Sequence, residues 1–240
     1  MHPRKPEPVD RDFVIMLHEW AVHPGTYRPD PNVMLDFNTF TFNSKAYPAT
    51  SPLVVRKDQR VRLRFGNLSM DQHPIHIHGH AFKITATDGG PIPPAGQWPQ
   101  TTVPVPVGST RDVQFIADAP GDWPLHCHKT HHAMNAMGHH IPNLLGSNQT
   151  KAEARVRKQL PGYMAMGSRG MAEHQEHTDS GHMPGPPNTL PMMAGKGPYG
   201  NIEMGGMFTV FKVREGITDY SDPGWYSPPP GTVAYKVSGP

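Results

Sequence analysis

The segment His126-Cys127-His128, followed by His132 and Met137, constrains this chain more than any other stretch. It places the only cysteine between two histidines, with a further imidazole and a thioether at short intervals downstream. Upstream lies its counterpart, His73-Pro74-Ile75-His76-Ile77-His78. Neighbouring side chains on a strand point to opposite faces, so Cys127 faces one way while His126 and His128 face the other. His76 and His78 share a face, and His73, displaced by an odd step and by Pro74, is free to turn towards Cys127. His132 and Met137 lie beyond the strand, where a loop or helical turn brings them back. Two metal sites are expected. The first joins Cys127, His73 and His132 with Met137 as a weak axial ligand, which is a blue-copper donor set. The second gathers His76, His78, His126 and His128 on the opposite face.

The rest of the composition agrees with metal chemistry and excludes other classes. Sixteen histidines and fourteen methionines stand out in 240 residues; imidazole suits copper and zinc, and thioether favours Cu(I). A single cysteine leaves no intrachain disulfide. The net charge of +2, without Lys/Arg runs, offers no footprint for nucleic acid. No apolar run approaches the ~20 residues of a membrane span. Met1 is followed directly by His-Pro-Arg-Lys-Pro, so no signal peptide is read here.

Apolar residues make up 36%, with 29 prolines and 24 glycines, the mark of short strands joined by loops. Residues 1–11 read as a Pro-rich charged linker. Phe13–Leu17 is a continuous apolar run, as expected for a buried strand, and Asn38–Phe42 is a second short one. Val61–Phe65 alternates, with Val61, Leu63 and Phe65 inward and the arginines outward. His80–Thr87, Asp112–Ala117 and Phe208–Val213 complete the strands, with a Gly/Pro-rich segment over 89–108. Together they predict an all-β antiparallel sandwich. One helix is expected from the capping box Thr150-Lys151-Ala152-Glu153, stopped by Pro161-Gly162. A long Met/His-rich insertion spans about 146–205, and 216–240 is an extended tail.

The strings Gly121-Asp122-Trp123-Pro124-Leu125-His126-Cys127-His128 and His73-Pro74-Ile75-His76-Ile77-His78-Gly79-His80-Ala81-Phe82 closely resemble the C-terminal cupredoxin domain of multicopper oxidases, the family of laccases and bacterial copper-resistance oxidases. The resemblance is strong over about residues 53 to 138. It implies a Greek-key cupredoxin sandwich over 12–215. It also implies a type 1 copper on His73, Cys127, His132 and Met137, a type 2 ligand in His76, and type 3 ligands in His78, His126 and His128. In such a protein a small reductant, a phenol or Cu(I), gives single electrons at the type 1 copper. They pass through Cys127 to His126 and His128, and O2 is reduced to water at a trinuclear cluster. The resemblance further implies a periplasmic or extracellular setting.

Two departures shape the expectation. The family completes its cluster with two further His-x-His pairs from an N-terminal cupredoxin domain, whereas this chain has none outside the two segments above. It offers four of the eight cluster ligands, and 1–11 reads as the junction after a missing domain. The other half is then expected from that domain or a neighbouring subunit, and a homotrimer is one assembly the resemblance allows. Ala133 also stands after His132, where some bacterial relatives carry an acid. The alternative is a stand-alone blue copper electron-transfer or copper-buffering protein.

Other features read two ways. Met164, Met166, Met171, Met183, Met192, Met193, Met204 and Met207, with His174, His177 and His182, resemble the Cu(I)-capturing insertions of copper-efflux oxidases, or are gap-filling and loop residues. His80, His131, His139 and His140 are expected beside the ligands or exposed. Asp71 and Asp122 are candidate proton relays or turn residues. A zinc hydrolase fits worse because Gly79 stands where an aspartate is needed and Cys127 has no task. A nitrite reductase fits worse because both neighbours of Cys127 are histidines.

Overall fold

A computed structural model describes residues 8–22, 28–35, 37, 39–133, 150–159, 196–198, 200–202 and 204–233. Two sheets face each other. The first contains β1 (Arg11–Trp20), β2 (Thr39–Phe42), β4 (Arg60–Asn67), β6 (Phe82–Thr87), β7 (Gly90–Pro91), β8 (Pro99–Gln100) and β10 (Thr110–Ile116), in the order β2-β1-β4-β10-β6-β7 with β8 also on β6. The second contains β3 (Leu53–Arg56), β5 (His73–Ile77), β9 (Thr102–Val105), β11 (Gly121–Cys127) and β14 (Phe208–Arg214), in the order β3-β14-β11-β5-β9. A separate two-stranded ribbon pairs β12 (Lys196–Gly197) with β13 (Gly200–Asn201). The expected Greek-key, cupredoxin-like sandwich is the fold, with the helix α2 (Thr150–Gln159) where the capping box predicts it.

The inward face of the first sheet presents Ile15, Leu17, Val61, Leu63, Phe65, Val113 and Phe115. The second answers with Ile75, Ile77, Val103, Val105, Leu125, Phe211 and Val213, so a continuous apolar layer forms between them. Each such side chain contributes about 1.5–3 kcal/mol through burial. Cys127 belongs to this layer, which ties the expected metal face to the core.

Five details depart from the sequence expectation. The sandwich is not purely antiparallel, since β1 runs parallel to β4 and β3 parallel to β14. Phe13–Leu17 is half-buried, because β1 alternates and Val14 is 56% exposed. Arg62 and Arg64 do point away from the core yet are buried, because the carboxylate of Asp12 pairs with both guanidiniums. Segment 89–108 is not only loop: β9 runs through Pro104 at the sheet edge and pairs with β5, holding His73 opposite Val105 and His76 opposite Thr102. The described part of the tail is extended but docked. Lys212 holds Asp222 at 2.6 Å, Gln59 donates to the Tyr220 hydroxyl at 2.9 Å, and the Arg11 guanidinium lies 3.7 Å over the Tyr220 ring.

Candidate metal centre

Antiparallel pairing of β5 with β11 sets His126 opposite His76, Leu125 opposite Ile77 and Cys127 opposite Ile75. That register produces the two faces. His73, Ile75 and Ile77 point into the sandwich, and His76 points out. The odd step from His73 to His76 suffices for this. Beyond the strand, the His128 N–H donates to the Pro74 carbonyl at 2.7 Å and extends the pairing one step. The chain then turns through α1 (Thr130–Ala133), a helical turn that returns His132 to the inner face. There Phe40 stacks on the His132 ring at 4.2 Å.

On the inner face, His73 Nδ1 and His132 Nδ1 lie 3.0 Å apart and each is 3.7 Å from Cys127 Sγ. All three residues are buried, at 0%, 1% and 1% exposure for His73, His132 and Cys127. Burial is the main cause that lowers His73 to about 4 and His132 to about 3, so both imidazoles are neutral near pH 7. Burial also pushes the Cys127 thiol up to about 12. A lone thiol and two neutral nitrogens converging this closely, all of them buried, fit a trigonal soft-metal site. Met137, the fourth expected ligand, lies outside the described residues.

On the outer face the four remaining imidazoles cluster. His78 Nε2 is 3.2 Å from His126 Nε2, and the His76 ring lies 4.9 Å from the His128 ring and 5.6 Å from the His126 ring. The His126 Nδ1–H donates to the Cys127 carbonyl at 2.9 Å, an acceptor only, so Nε2 is left as the free donor atom. His76 Nδ1 meets Thr102 Oγ1 at 2.8 Å, which turns its Nε2 to the cluster as well. Burial lowers His126 to about 4. It also lowers His76 and His78, with neighbouring imidazoles adding to it. This half-buried group is a ready ligand set, open on one side.

Glu19 was not anticipated. Its buried carboxylate oxygen Oε1 lies 3.6 Å from Nε2 of both His73 and His132. Burial, then the charge of Asp71, raises its carboxyl above the usual range. With Asp71 and His132 it forms the second group of potential ligands found among the described residues. The sequence did hold a signal: Ile15, Leu17 and Glu19 share one face of β1, and a carboxylate at an inward position needs a reason.

Of the residues with two readings, Asp122 is structural, accepting from Arg214 at 2.6 Å and from the Tyr226 N–H at 2.7 Å. Asp71 pairs with Lys129 and comes within 3.9 Å of His132 Nε2. His131 is exposed. His80 is buried among Phe115, Trp123 and Phe211, not exposed. Met207 fills the core and Met204 packs on the Tyr47–Phe208 cluster, so for these two gap filling is the observed role. The other methionines of the insertion, with His174, His177, His182, His139 and His140, lie outside the described residues.

The buried imidazoles make stability depend on acid. Unfolded, His73, His126 and His132 take up protons near 6.5; folded, they do so only near 4, 4 and 3. Between these values the unfolded state binds more protons, so the metal-free chain is expected to lose stability as pH falls from about 6.5 to about 4. Urea midpoints that stay constant between pH 7.5 and 5 would contradict it.

The multicopper oxidase family profile matches residues 23–144, about half of the 240, and the chain belongs to that family. It is 39% identical over 106 residues to the multicopper oxidase MmcO of Mycobacterium tuberculosis, covering 44% of this chain and 20% of that protein. It is 32% identical over 93 residues to copper resistance protein A of Pseudomonas syringae pv. tomato, covering 39% of this chain and 14% of the relative. The chain therefore matches a fifth or less of the length of these two relatives. The solved multicopper oxidase mgLAC shares the fold, with a TM-score of 0.52 and 21% identity over 93% of this chain and 53% of that one. The family uses copper, and the donor set on the inner face suits it.

Proposed function

We propose that this chain is the C-terminal copper-binding half of a multicopper oxidase. The reading rests on one observation: the paired ends of β5 and β11, with the helical turn after them, hold a buried three-donor group on one face and an open four-imidazole group on the other. His73, Cys127 and His132, with Met137, would hold a type 1 copper. His76 as a type 2 ligand, and His78, His126 and His128 as type 3 ligands, would supply half of a trinuclear cluster. Copper, when bound, would supply one-electron oxidation of a small reductant at the first site and O2 reduction to water at the second.

The protein's own part is positioning and connection. Cys127 is joined through its backbone to His126 and His128, so the sulfur and both imidazoles share a short covalent path between faces. Burial of His73, Cys127 and His132 keeps the first site away from bulk water. The open side of the imidazole group needs four more ligands, which we assign to an N-terminal cupredoxin domain or a neighbouring subunit. No described helix is long and apolar enough to cross a membrane.

Oxygen uptake with a phenol or Cu(I) as reductant tests the division of labour. The isolated chain is expected to show none, and co-expression with a cupredoxin domain bearing two His-x-His pairs is expected to restore it. Turnover by an isolated monomeric chain would contradict the shared cluster. Absence of turnover in the reconstituted, copper-loaded pair would leave the chain as an electron carrier.

A further inference from the structure

His73 coordinates through Nδ1 only if that atom carries the lone pair, and a neutral imidazole has its single N–H on one nitrogen or the other. The groups around its other nitrogen decide which. Ser69 Oγ lies 2.6 Å from His73 Nε2 and also 2.6 Å from Asn67 Oδ1. Asn67 Nδ2 donates to the carbonyls of Asp71 at 2.8 Å and Val105 at 2.9 Å, and Oδ1 accepts from the Ser69 N–H at 2.9 Å. A flipped amide would face two carbonyls with an oxygen and an N–H with an NH2, so its orientation is determined.

If the Ser69 hydroxyl gave its hydrogen to His73, two oxygens with no proton between them would face each other at 2.6 Å. The hydroxyl therefore donates to Asn67 Oδ1, and its lone pair accepts from His73 Nε2–H. Its remaining neighbour, the Asp71 carbonyl at 3.1 Å, is also an acceptor. Glu19 Oε1, 3.6 Å from the same nitrogen, presents another oxygen to that side. Asn67, Ser69 and His73 are all buried, so water does not relax these choices.

We propose that Asn67 and Ser69 form a relay that locks His73 in its Nε2–H tautomer, aiming the Nδ1 lone pair at Cys127 and His132 before any metal arrives. Both are positioning residues, and the inference rests on reading His73, Cys127 and His132 as the copper centre. Outer partners of metal-bound histidines change metal affinity by about 10–100-fold. An oxygen accepting from Nε2–H also makes the imidazole a stronger donor, which favours Cu(II) over Cu(I).

Two measurements test it. Long-range 1H–15N NMR of the metal-free wild-type chain reads the tautomer directly and is expected to find His73 protonated on Nε2; protonation on Nδ1 would overturn the relay. In copper competition titrations, Ser69→Ala is expected to weaken Cu(II) binding about 10–100-fold and Cu(I) binding less, while Ser69→Thr keeps the hydroxyl and stays near wild type. Wild-type affinity in Ser69→Ala, or equal loss in both variants, would overturn it. A wild-type chain that takes up no copper would instead sink the reading of the centre, with the tautomer still deciding the relay.

Discussion

Serine in place of Cys127 is expected to abolish the intense blue absorption of the copper-loaded chain. It is also expected to weaken copper at the inner face by more than the roughly 100-fold that loss of an outer partner costs. The reason is the donor set. His73 and His132 leave two nitrogens 3.0 Å apart, and the third corner of the triangle is the sulfur, 3.7 Å from each. A hydroxyl is a harder donor than a thiolate and does not ionise near neutrality. The fold should survive, because the exchange only places a hydroxyl in a buried position, at a cost of about 1–3 kcal/mol if it finds no partner. Visible absorption, copper content and a urea midpoint separate these effects. A blue band of wild-type intensity in Cys127→Ser would remove the sulfur from the centre.

Gly79→Ala is expected to destabilise the chain by roughly 3 kcal/mol and to disturb the outer face while leaving the inner one intact. Gly79 has φ +72°, and a Cβ there would lie 2.3 Å from Trp123 Cδ2 and 2.4 Å from Cε3. The left-handed backbone costs a side-chain-bearing residue about 1–2 kcal/mol, and overpacking adds about 1–3 kcal/mol. Trp123 has little room to retreat, since its Nε1–H donates to the Ala119 carbonyl at 2.9 Å and its ring packs against the core. The strain falls on His78, the neighbour in sequence whose Nε2 sits 3.2 Å from that of His126. Chemical denaturation reads the first effect, and copper binding with the blue band as an internal control reads the second. Unchanged stability would mean that the turn after β5 is looser than its geometry implies.

Much of the two-face arrangement was legible because strand alternation is local. His76 and His78 on one side, Cys127 on the other, and the odd offset of His73 all follow from period two. The inward residues Val61, Leu63 and Phe65 were legible for the same reason. What depends on distant pairing was not. β9 lies in a stretch whose Gly and Pro content reads as loop, and only its pairing with β5 reveals that Thr102 orients His76. The docked tail is set in part by Asp122 and Gln59, residues far from it in sequence, and in part by Lys212 and Arg214 on the strand just before it.

The groups around the ligands were the hardest to see. Glu19, Asn67 and Ser69 match no motif that carries chemistry, and each matters through a buried contact across elements. Glu19 broke the inward pattern of β1 and was detectable in principle. Asn67 and Ser69 are residue types common in turns, and nothing in the sequence singles them out. His80 shows the converse: a histidine beside ligands that ends in an aromatic nest, where burial lowers it and Asp118 is its nearest acid at 3.9 Å.

As proposed, this chain carries one complete copper site and half of another. Titration of the metal-free, isolated chain with Cu(II) at neutral pH tests it most directly. With the Cys127 thiol pushed up to about 12, the sulfur is protonated at the start and must give up its proton to coordinate. One tightly bound copper per chain is expected, with a blue band rising in step with it and a proton released from Cys127. Tight binding of four coppers by the monomeric chain, or uptake without the blue band, would contradict it.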